Sequence, residues 1–312
     1  MMNFRTVIPV PALNTIGYEH QFLMLGSCFA ETIGSKLLEF RFSGEVNPFG
    51  VLYNPVSIAQ SLERLLEHRA FTEAELFEYN GLWHSWAHHG SFSDVSTEKT
   101  LEKINMRYAA AEKMVQSDVL ILTFGSSWVY EYDGRVVANC HKVPEKQFVR
   151  RRLSVDEIVE RYGDLFRRLL HDKPEKQIIL SVSPIRYLRN GATENQTNKA
   201  ILLLAVEKLC QMFDAVHYFP AYEIVLDELR DYRFFADDMI HPSVPAVAYI
   251  WERFCESFLT KPTLALMPKV EKLNKALLHR PLNGDSEAYK YFMLQTKQEI
   301  RQLKQMYPYL NI

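Results

Sequence analysis

The sequence predicts an α/β protein with a mostly parallel central sheet, and two observations lead to that prediction. Short apolar runs alternate with segments of helical periodicity over about residues 20–259 of the 312-residue chain, as in βαβ units. Three of the apolar runs also end in small residues, at Gly26-Ser27, at Gly125-Ser126-Ser127 and at Ser181-Val182-Ser183. Because parallel strands end at one edge of a sheet, where α/β proteins bind ligands, we expect these residues to share a cleft.

The first strand and helix are predicted over about residues 21–40. An apolar run ends at Gly26, and apolar residues follow at helical spacing, which indicates a strand, a tight turn and an amphipathic helix. Ser27 would begin the helix, beside amides that have no partner within it. Ser27 is therefore either a nucleophile or a helix cap, since serine is also a favoured N-cap residue.

The remaining elements follow in order. A loop with two Asn-Pro turns and Gly50 leads to a helix that we expect Ser57 to cap. Residues 71–96 mix aromatic residues and histidines with small residues, and we predict an irregular insertion there. The other predicted elements are helices at about 97–116, 154–171, 193–212, 221–230 and 244–259, buried strands at 118–125, 177–184 and 216–220, and a hairpin around Asp133-Gly134.

Composition excludes several classes of function. The chain is 47% hydrophobic and 24% charged, as is ordinary for a globular protein, and its net charge of -2 gives no reason to expect nucleic acid as a partner. No apolar run is long enough to span a bilayer, and the N-terminus does not resemble a signal peptide, so we expect a cytoplasmic protein. The four cysteines are scattered without CxxC spacing, and no metal or organic cofactor is expected.

Two charged patterns could take part in chemistry. Asp238 and His241 lie three residues apart in a predicted loop, where His241 could take the proton of Ser27 while Asp238 orients the imidazole. The alternative is that Asp238 caps a turn and His241 simply precedes a proline. The basic run Arg150-Arg151-Arg152 is either a solvated face or a contact for one anionic group of a substrate.

Gly26-Ser27-Cys28-Phe29-Ala30 resembles the signature of the GSCFA family, a branch of the SGNH (GDSL-like) hydrolases. The resemblance covers most of residues 20–260 and extends to Asn47-Pro48-Phe49-Gly50, Thr123-Phe124-Gly125, Asn139-Cys140-His141-Lys142, Ser183-Pro184 and Asp238-x-x-His241. It implies a flavodoxin-like three-layer α/β/α sandwich with a parallel sheet of about five strands. It also implies that Ser27 is the nucleophile and His241 the general base, oriented by Asp238.

The resemblance further implies an oxyanion hole built from the amides of Ser27 and Gly50 and from an asparagine side chain. Ser127 stands at the position of that asparagine, and a hydroxyl reaches less far than a carboxamide. The candidate substrate-binding residues that could fill this place are Asn47, His89, Asn139 and His141.

We expect residues 1–262 to form the SGNH-hydrolase-like domain, with the insertion at about 71–96. Residues 263–312, which are rich in Lys, Gln and Leu, are predicted to form a C-terminal helical extension that packs on this domain or on a partner. The chain would then be a monomer or a homodimer.

The predicted function is that of a serine esterase or acyl hydrolase that removes a small acyl group, such as an O-acetyl group of a carbohydrate, through an acyl-enzyme on Ser27. Its partner would be a small-molecule or carbohydrate ester. Three alternatives stay open: an acyltransferase with the same triad, a weak or inactive ligand-binding protein of this fold, and a chain whose C-terminal helices are the functional part.

Overall fold

The computed structural model describes residues 6–279 and 286–312. The strands are β1 (Gln21–Gly26), β2 (Ser43–Val46), β3 (Leu76–Tyr79), β4 (Leu82–Ser85), β5 (Val119–Phe124), β6 (Trp128–Tyr132), β7 (Arg135–Val137), β8 (Val149–Arg152), β9 (Gln177–Val182) and β10 (Val216–Phe219). The helices are α1 (Cys28–Glu39), α2 (Pro55–Leu66), α3 (Thr97–Met114), α4 (Val155–Asp172), α5 (Ala192–Met212), α6 (Ala221–Glu223), α7 (Val244–Phe258), α8 (Lys261–Leu278) and α9 (Glu287–Met306). A π-helical turn, Ile224–Leu229, continues α6.

The central sheet is parallel, with the strand order β2-β1-β5-β9-β10. Numbered along the chain, its five strands run 2-1-3-4-5, which is the flavodoxin-like order. The order reverses between β1 and β5, where Gly26 pairs with Thr123. In such sheets ligands bind outside the carboxyl ends of the strands at the reversal, so Ser27 stands at the expected place. The predicted fold class is confirmed.

Alternate residues of the central strands face two different cores, because side chains alternate along a strand. Leu23, Leu120 and Leu180 pack with the buried faces of α2, α3, α4 and α5. Met24 and Ile121 pack with those of α1, α7 and α8. The sheet is thus the middle layer of a three-layer α/β/α sandwich.

The cap of α2 lies three residues before the predicted one. The Asn54 side chain accepts a hydrogen bond from the Ser57 amide at 2.8 Å, and Pro55 occupies the first helical turn. Asparagine followed by proline is a strong helix start, because proline lacks the amide hydrogen that would stay unpaired there. The sequence prediction of Ser57 as the cap was wrong, since the Asn-Pro pair had been assigned to a turn.

A smaller antiparallel region, built from two short sheets that share a hydrophobic cluster, lies outside the central sheet. The segment predicted as irregular contains the hairpin of β3 and β4, which turns at Asn80 and Gly81. The strands β6, β7 and β8 form a second sheet in the order β7-β6-β8, and the predicted hairpin at Asp133-Gly134 joins β6 to β7. The strand β8, which contains the arginine run, was not predicted.

The C-terminal helices pack on the α/β domain of the same chain. Four residues of α8 are buried in the core shared with α1 and α7: Leu266, Met267, Val270 and Leu273. Arg41 Nε donates to Asn274 Oδ1 at 2.8 Å, and Leu303 of α9 joins the same core. The proposed boundary at residue 262 stays a prediction. Within the described ranges, none of the helices combines the length and apolar character that crossing a bilayer would require.

Candidate active site

Ser27 occupies the N-cap position of α1, but its side chain does not cap the helix. Its backbone is extended, with φ −67° and ψ 177°, and the side chain makes no capping hydrogen bond. The Oγ atom is buried and has no hydrogen-bond partner among the residues that the structure describes. A capping serine would accept a bond from an amide of the first turn. The cap alternative therefore accounts for the position of Ser27 but not for its uncommitted hydroxyl.

Two glycines let the ends of β1 and β5 approach each other beside Ser27. A Cβ on Gly26, whose φ is +152°, would lie 2.4 Å from the Thr123 carbonyl oxygen. A Cβ on Gly125 would lie 3.0 Å from the Tyr53 carbonyl oxygen and 3.3 Å from Ser27 Cβ. Side chains at either position would push the strand ends apart, so the close packing at the reversal of strand order depends on glycine.

The two amides expected in the oxyanion hole both have intramolecular acceptors. The Ser27 amide donates to the Thr123 carbonyl at 3.3 Å, which is long for such a bond. The Gly50 amide donates to the Asn47 carbonyl at 2.8 Å within a turn. The Ser27 amide is thus only weakly engaged, whereas the Gly50 amide has a normal partner in this conformation.

Ser127, the third expected donor, is fully buried and bound to α5. Its amide and its hydroxyl both donate to Asn198 Oδ1, the hydroxyl at 2.7 Å, and the Ser126 hydroxyl donates to the same oxygen at 3.3 Å. With both of its donors engaged, Ser127 has none to offer a substrate oxygen here.

The neighbouring Lys199 is also fully buried and holds the ends of two strands. Its Nζ donates to the carbonyls of Gly125 at 2.8 Å and Ser183 at 2.7 Å. Burial lowers the pKa of Lys199 to about 7. Sequence reasoning missed Asn198 and Lys199. Their signal was a set of polar residues at Asn195, Asn198 and Lys199 that share helical spacing with the core residue Leu202.

Asn47 places a second uncommitted polar group beside Ser27. Its Oδ1 accepts from the Gly26 amide at 2.9 Å, which orients the carboxamide. Its Nδ2 is buried and has no partner among the described residues, and the same is true of Thr123 Oγ1 on the paired strand. Buried polar groups without partners are rare in folded proteins. Three of them, on Ser27, Asn47 and Thr123, surround the end of β1.

Asp238 and His241 form a close pair in the loop before α7. Asp238 Oδ2 lies 2.6 Å from His241 Nδ1, and Oδ1 accepts from the amides of Ile240 at 2.8 Å and His241 at 3.0 Å. The bonds from the amide and imidazole of His241, together with that from the Ile240 amide, lower the pKa of Asp238 to about 2. An ionised Asp238 favours the imidazole tautomer with its proton on Nδ1, which leaves Nε2 as the basic nitrogen.

The structure does not join this pair to Ser27. The His241 side chain is 47% exposed, and among the described residues no hydrogen bond reaches the Ser27 hydroxyl. The His241 loop is held by Arg186, which follows β9: the Arg186 amide donates to the Ile240 carbonyl at 3.1 Å, and its Nη1 donates to the Met239 carbonyl at 3.0 Å. Ser27 thus follows the central strand β1, and the His241 loop is held by the segment after β9, but no hydrogen bond joins their side chains.

His89 packs against Gly50. A Cβ on Gly50, whose φ is +78°, would lie 2.3 Å from His89 Cβ. The His89 Nδ1 atom accepts from the Ser91 amide at 3.2 Å, so the histidine caps a short helical turn. His89 thus belongs to the loop that contains a proposed oxyanion donor.

Asn139 and His141 lie in the smaller antiparallel region. His141 is buried, its Nε2 lies 2.8 Å from the Ser85 carbonyl oxygen, and burial lowers its pKa to about 4. The neutral ring donates from Nε2 to that carbonyl. Asn139 Oδ1 accepts from the His141 amide at 2.8 Å. His141 thus joins the segment after β7 to the end of β4, and Asn139 holds the turn in which His141 lies. Within residues 6–279 and 286–312, no group of three or more His, Cys, Asp or Glu side chains comes together as a metal site.

Comparison with known proteins gives a family match over most of the chain. The GSCFA family model matches residues 21–254, and that of the GSCFA domain protein, C-terminal domain, matches residues 270–312. No curated protein matches the sequence significantly.

The solved structures to which this chain is similar are distant in sequence. A mutant acetyl esterase with an acetate ion is 10% identical, with 83% of this chain and 99% of that chain covered and a TM-score of 0.37. A carbohydrate esterase family 3 protein from Talaromyces cellulolyticus is 11% identical, with 82% and 98% covered and a TM-score of 0.35. A candidate platelet activating factor from Streptococcus pneumonia is 12% identical, with 79% and 85% covered and a TM-score of 0.38. Similarity at this level transfers no activity.

Proposed function

The chain belongs to the GSCFA family, and from this premise we propose that it cleaves an ester through an acyl-enzyme formed on Ser27. The observation that supports the proposal most is the Ser27 hydroxyl, which is buried at a helix N-terminus without a hydrogen-bond partner among the described residues. Amides at a helix N-terminus favour the negative charge that develops when an ester carbonyl is attacked. We propose a small acyl group, such as an O-acetyl group of a carbohydrate, as the group removed.

The reaction would follow the course of a serine hydrolase. Ser27 Oγ attacks the carbonyl carbon, and His241 Nε2 takes its proton. The tetrahedral intermediate expels the alcohol, which receives that proton, and water then attacks the acyl-enzyme with His241 again as the base. Asp238 keeps the imidazole oriented and stabilises its cation. Because Ser27 and His241 are not hydrogen-bonded here, the two must approach when substrate binds, as catalytic hydrogen bonds often tighten only in the complex.

We assign the oxyanion hole to Ser27, Gly50 and Asn47. To bind the oxyanion, the Ser27 amide would exchange only a long hydrogen bond to the Thr123 carbonyl, and the Gly50 amide would exchange its bond to the Asn47 carbonyl. In place of Ser127, whose donors are bound to Asn198, the Asn47 Nδ2 would supply the side-chain donor, since it is buried and unpartnered among the described residues. Removing one such donor typically costs about 10²–10³ in turnover.

One observation favours a second candidate, a binding protein that no longer turns over a substrate. The lack of a hydrogen bond between the Ser27 and His241 side chains is the arrangement expected of such a protein. An acyltransferase would use the same residues as the hydrolase and would differ only in the acceptor, a bound hydroxyl in place of water.

The test is the mass of the intact protein after prolonged incubation with a fluorophosphonate probe. We expect one adduct on the wild type and none on Ser27→Ala or His241→Ala. Ser127→Ala and Cys28→Ala serve as matched controls that should keep the adduct. The absence of any adduct on folded wild-type protein would refute an activated serine and favour the binding protein.

A turnover assay then separates hydrolase from transferase. Release of 4-nitrophenol from 4-nitrophenyl acetate is followed with and without a sugar as acceptor, and the sugar is analysed for acetylation by mass spectrometry. Free acetate alone supports the hydrolase, whereas acetylated sugar supports the transferase.

A further inference from the structure

The arginine run of β8 divides between the two faces of its strand. Residues alternate along a strand, so Arg150 and Arg152 share one face and Arg151 points to the other. Arg151 is bound by two carboxylates, Glu131 and Glu157, each at 2.7 Å. The run is therefore not a uniform solvated face, because Arg151 is paired with carboxylates on the face opposite to Arg150 and Arg152.

Arg150 and Arg152 both stack on Trp128 of the neighbouring strand. The guanidinium carbons lie 3.9 Å and 4.7 Å from the centre of the Trp128 ring, and that of Arg150 lies 5.7 Å from the ring of Tyr130. These distances fall within the range of cation–π attraction. The strand register explains the stacking, because Arg152 pairs with Trp128 and Arg150 pairs with Tyr130. The two guanidinium planes are thus held rigidly.

A third arginine comes from the loop between β9 and α5. Arg189 lies 5.9 Å from the Tyr130 ring, donates to the Tyr130 hydroxyl and pairs with Glu145 at 2.7 Å. Its side chain is 50% exposed. The polar ends of the cluster can therefore be reached from solvent.

The charges in this cluster do not balance within the described part of the chain. Arg152 is paired with Glu194, and Arg189 is paired with Glu145. Arg150 contacts no carboxylate there; its Nη2 lies 3.4 Å from the Tyr187 hydroxyl. The Asn190 carboxamide, turned so that its oxygen accepts, lies 2.9 Å and 2.8 Å from the two terminal nitrogens of Arg150. One positive charge is left over, on the most tightly stacked arginine.

The cluster is carried by segments that follow two strands of the central sheet. Trp128 follows Ser127 directly at the end of β5, and the loop with Tyr187 and Arg189 follows β9. Arg186 of the same loop holds the backbone beside His241. Trp128, on which Arg150 and Arg152 stack, therefore follows the carboxyl end of β5, the edge of the sheet at which α/β proteins bind ligands.

We propose that Arg150, Arg152 and Arg189 form a subsite for an anionic group, a carboxylate, sulfate or phosphate, on the molecule whose ester is cleaved. The planar guanidinium presents paired N–H donors that match two oxygens of such a group. The bound molecule is the substrate only if the proposed function holds, whereas the binding of the anion is independent of it.

The test is calorimetric titration at low salt with glucose 6-phosphate, glucose 6-sulfate, glucuronate and, as the neutral probe, glucose. We expect at least one anionic probe to bind the wild type about tenfold or more tightly than glucose, and added salt to weaken that binding. The strongest of the three identifies the group. Arg150→Gln should lose the preference, and Arg151→Gln, on the same strand but the opposite face, should keep it.

Two outcomes would overturn the subsite: no anionic probe binds better than glucose, or Arg151→Gln weakens binding as much as Arg150→Gln does. Thermal melting shows whether Arg150→Gln is folded. If that variant is unfolded, Arg189→Gln is used in its place, because the Arg189 side chain is half-exposed. The titrations are repeated on Ser27→Ala. Anion binding by Ser27→Ala shows that the subsite does not need the serine. If the wild type binds the anion but takes no fluorophosphonate, only the esterase is refuted, whereas a wild type with a labelled serine and no anion binding refutes only the subsite.

Discussion

Two serines lie at adjacent strand ends, and their hydroxyl groups differ in hydrogen bonding. Ser127, after β5, is bound through both its amide and its hydroxyl to Asn198. Ser27, after β1, has a buried hydroxyl without a partner among the described residues, next to the equally unpartnered Nδ2 of Asn47. Both residues are buried and both follow a glycine-containing strand end, so neither burial nor local sequence distinguishes them.

The difference lies in which side of the site is built for stability. On the β5 side, Asn198 and Lys199 of α5 satisfy the backbone and hydroxyls of Gly125, Ser126 and Ser127. On the β1 side, the Ser27 hydroxyl and Asn47 Nδ2 have no partner among the described residues, and on the β5 side the same is true of Thr123 Oγ1 and Asn198 Nδ2. Leaving buried polar atoms unpaired costs their desolvation. Buried polar groups without a partner are rare, and at a ligand-binding edge of a sheet the binding of a substrate is one explanation for them. The comparison supports the proposal that Ser27 carries the chemistry, and it is consistent with a supporting role for Ser127.

The largest expected effect on turnover comes from replacing the serines by alanine, one at a time. Ser27→Ala should lower kcat for an acetyl ester by about 10⁴-fold or more, since no nucleophile is left. Its stability should not fall, because the lost hydroxyl has no partner. Ser127→Ala should instead lower the free energy of unfolding by about 1–2 kcal/mol and kcat by less than about tenfold. Ester assays and urea unfolding measure both, and equal losses of kcat would contradict the comparison.

A smaller loss of turnover is expected for Asn47→Asp. Aspartate keeps the oxygen that accepts from the Gly26 amide and tolerates the φ of 45° found at this position. It loses the Nδ2 donor, so kcat should fall by about 10²–10³-fold with little change in KM. Asn139→Asp is the matched control, because it keeps its own acceptor bond to the His141 amide. A kcat for Asn47→Asp close to that of the control would remove Asn47 from the oxyanion hole.

Asn198→Ala should destabilise the fold rather than stop the chemistry. It removes the common acceptor of the Ser127 amide and of two hydroxyls, and we expect the free energy of unfolding to fall by about 2–4 kcal/mol. Asn195→Ala, which removes the acceptor of one amide at 2.8 Å, should cost less. Urea unfolding of both variants gives the comparison, and the reverse order of the two losses would refute the supporting role of Asn198.

The smallest effect is a pH dependence of stability that comes from Lys199. Burial lowers its pKa from 10.5 to about 7 in the folded chain, so above pH 7 the unfolded chain binds a proton that the folded chain has released. Stability therefore rises with pH in this window. From pH 7 to 8.5 the wild type should gain about 2 kcal/mol relative to Lys199→Met. Unfolding curves at both pH values measure this gain, and a constant difference between the two proteins would show that Lys199 does not titrate there.

Local patterns were sufficient to predict the sheet and the place of Ser27. Apolar runs that end in glycine indicate buried strands, and Asp238 and His241 lie only three positions apart. Both features are therefore visible in a short stretch of sequence. The partner of Ser127 lies 71 residues away on α5, and only the tertiary fold brings it near. The strand β8 was missed because its residues, Val149 and three arginines, lack the apolar alternation that predicts a strand.

The buried hydroxyl of Ser27 has a kinetic consequence. A reagent can react only with molecules in which the site has opened, so the observed rate equals the intrinsic rate multiplied by the open fraction. Tyr53 and Leu52 cross the ends of β1 and β5 with three backbone hydrogen bonds, to Gly26, Gly125 and Ser126. If opening breaks all three at about 1 kcal/mol each, the open fraction is about 1%.

The same closure would act on an acylated serine. An acyl group that waits in a site open about 1% of the time meets bulk water rarely, so its lifetime lengthens about a hundredfold. The hundredfold reduction does not apply to the hydroxyl of an acceptor that is already bound inside the site. If the proposed acyl-enzyme forms and the site opens this rarely, the closed conformation would favour transfer to a bound acceptor over hydrolysis by bulk water.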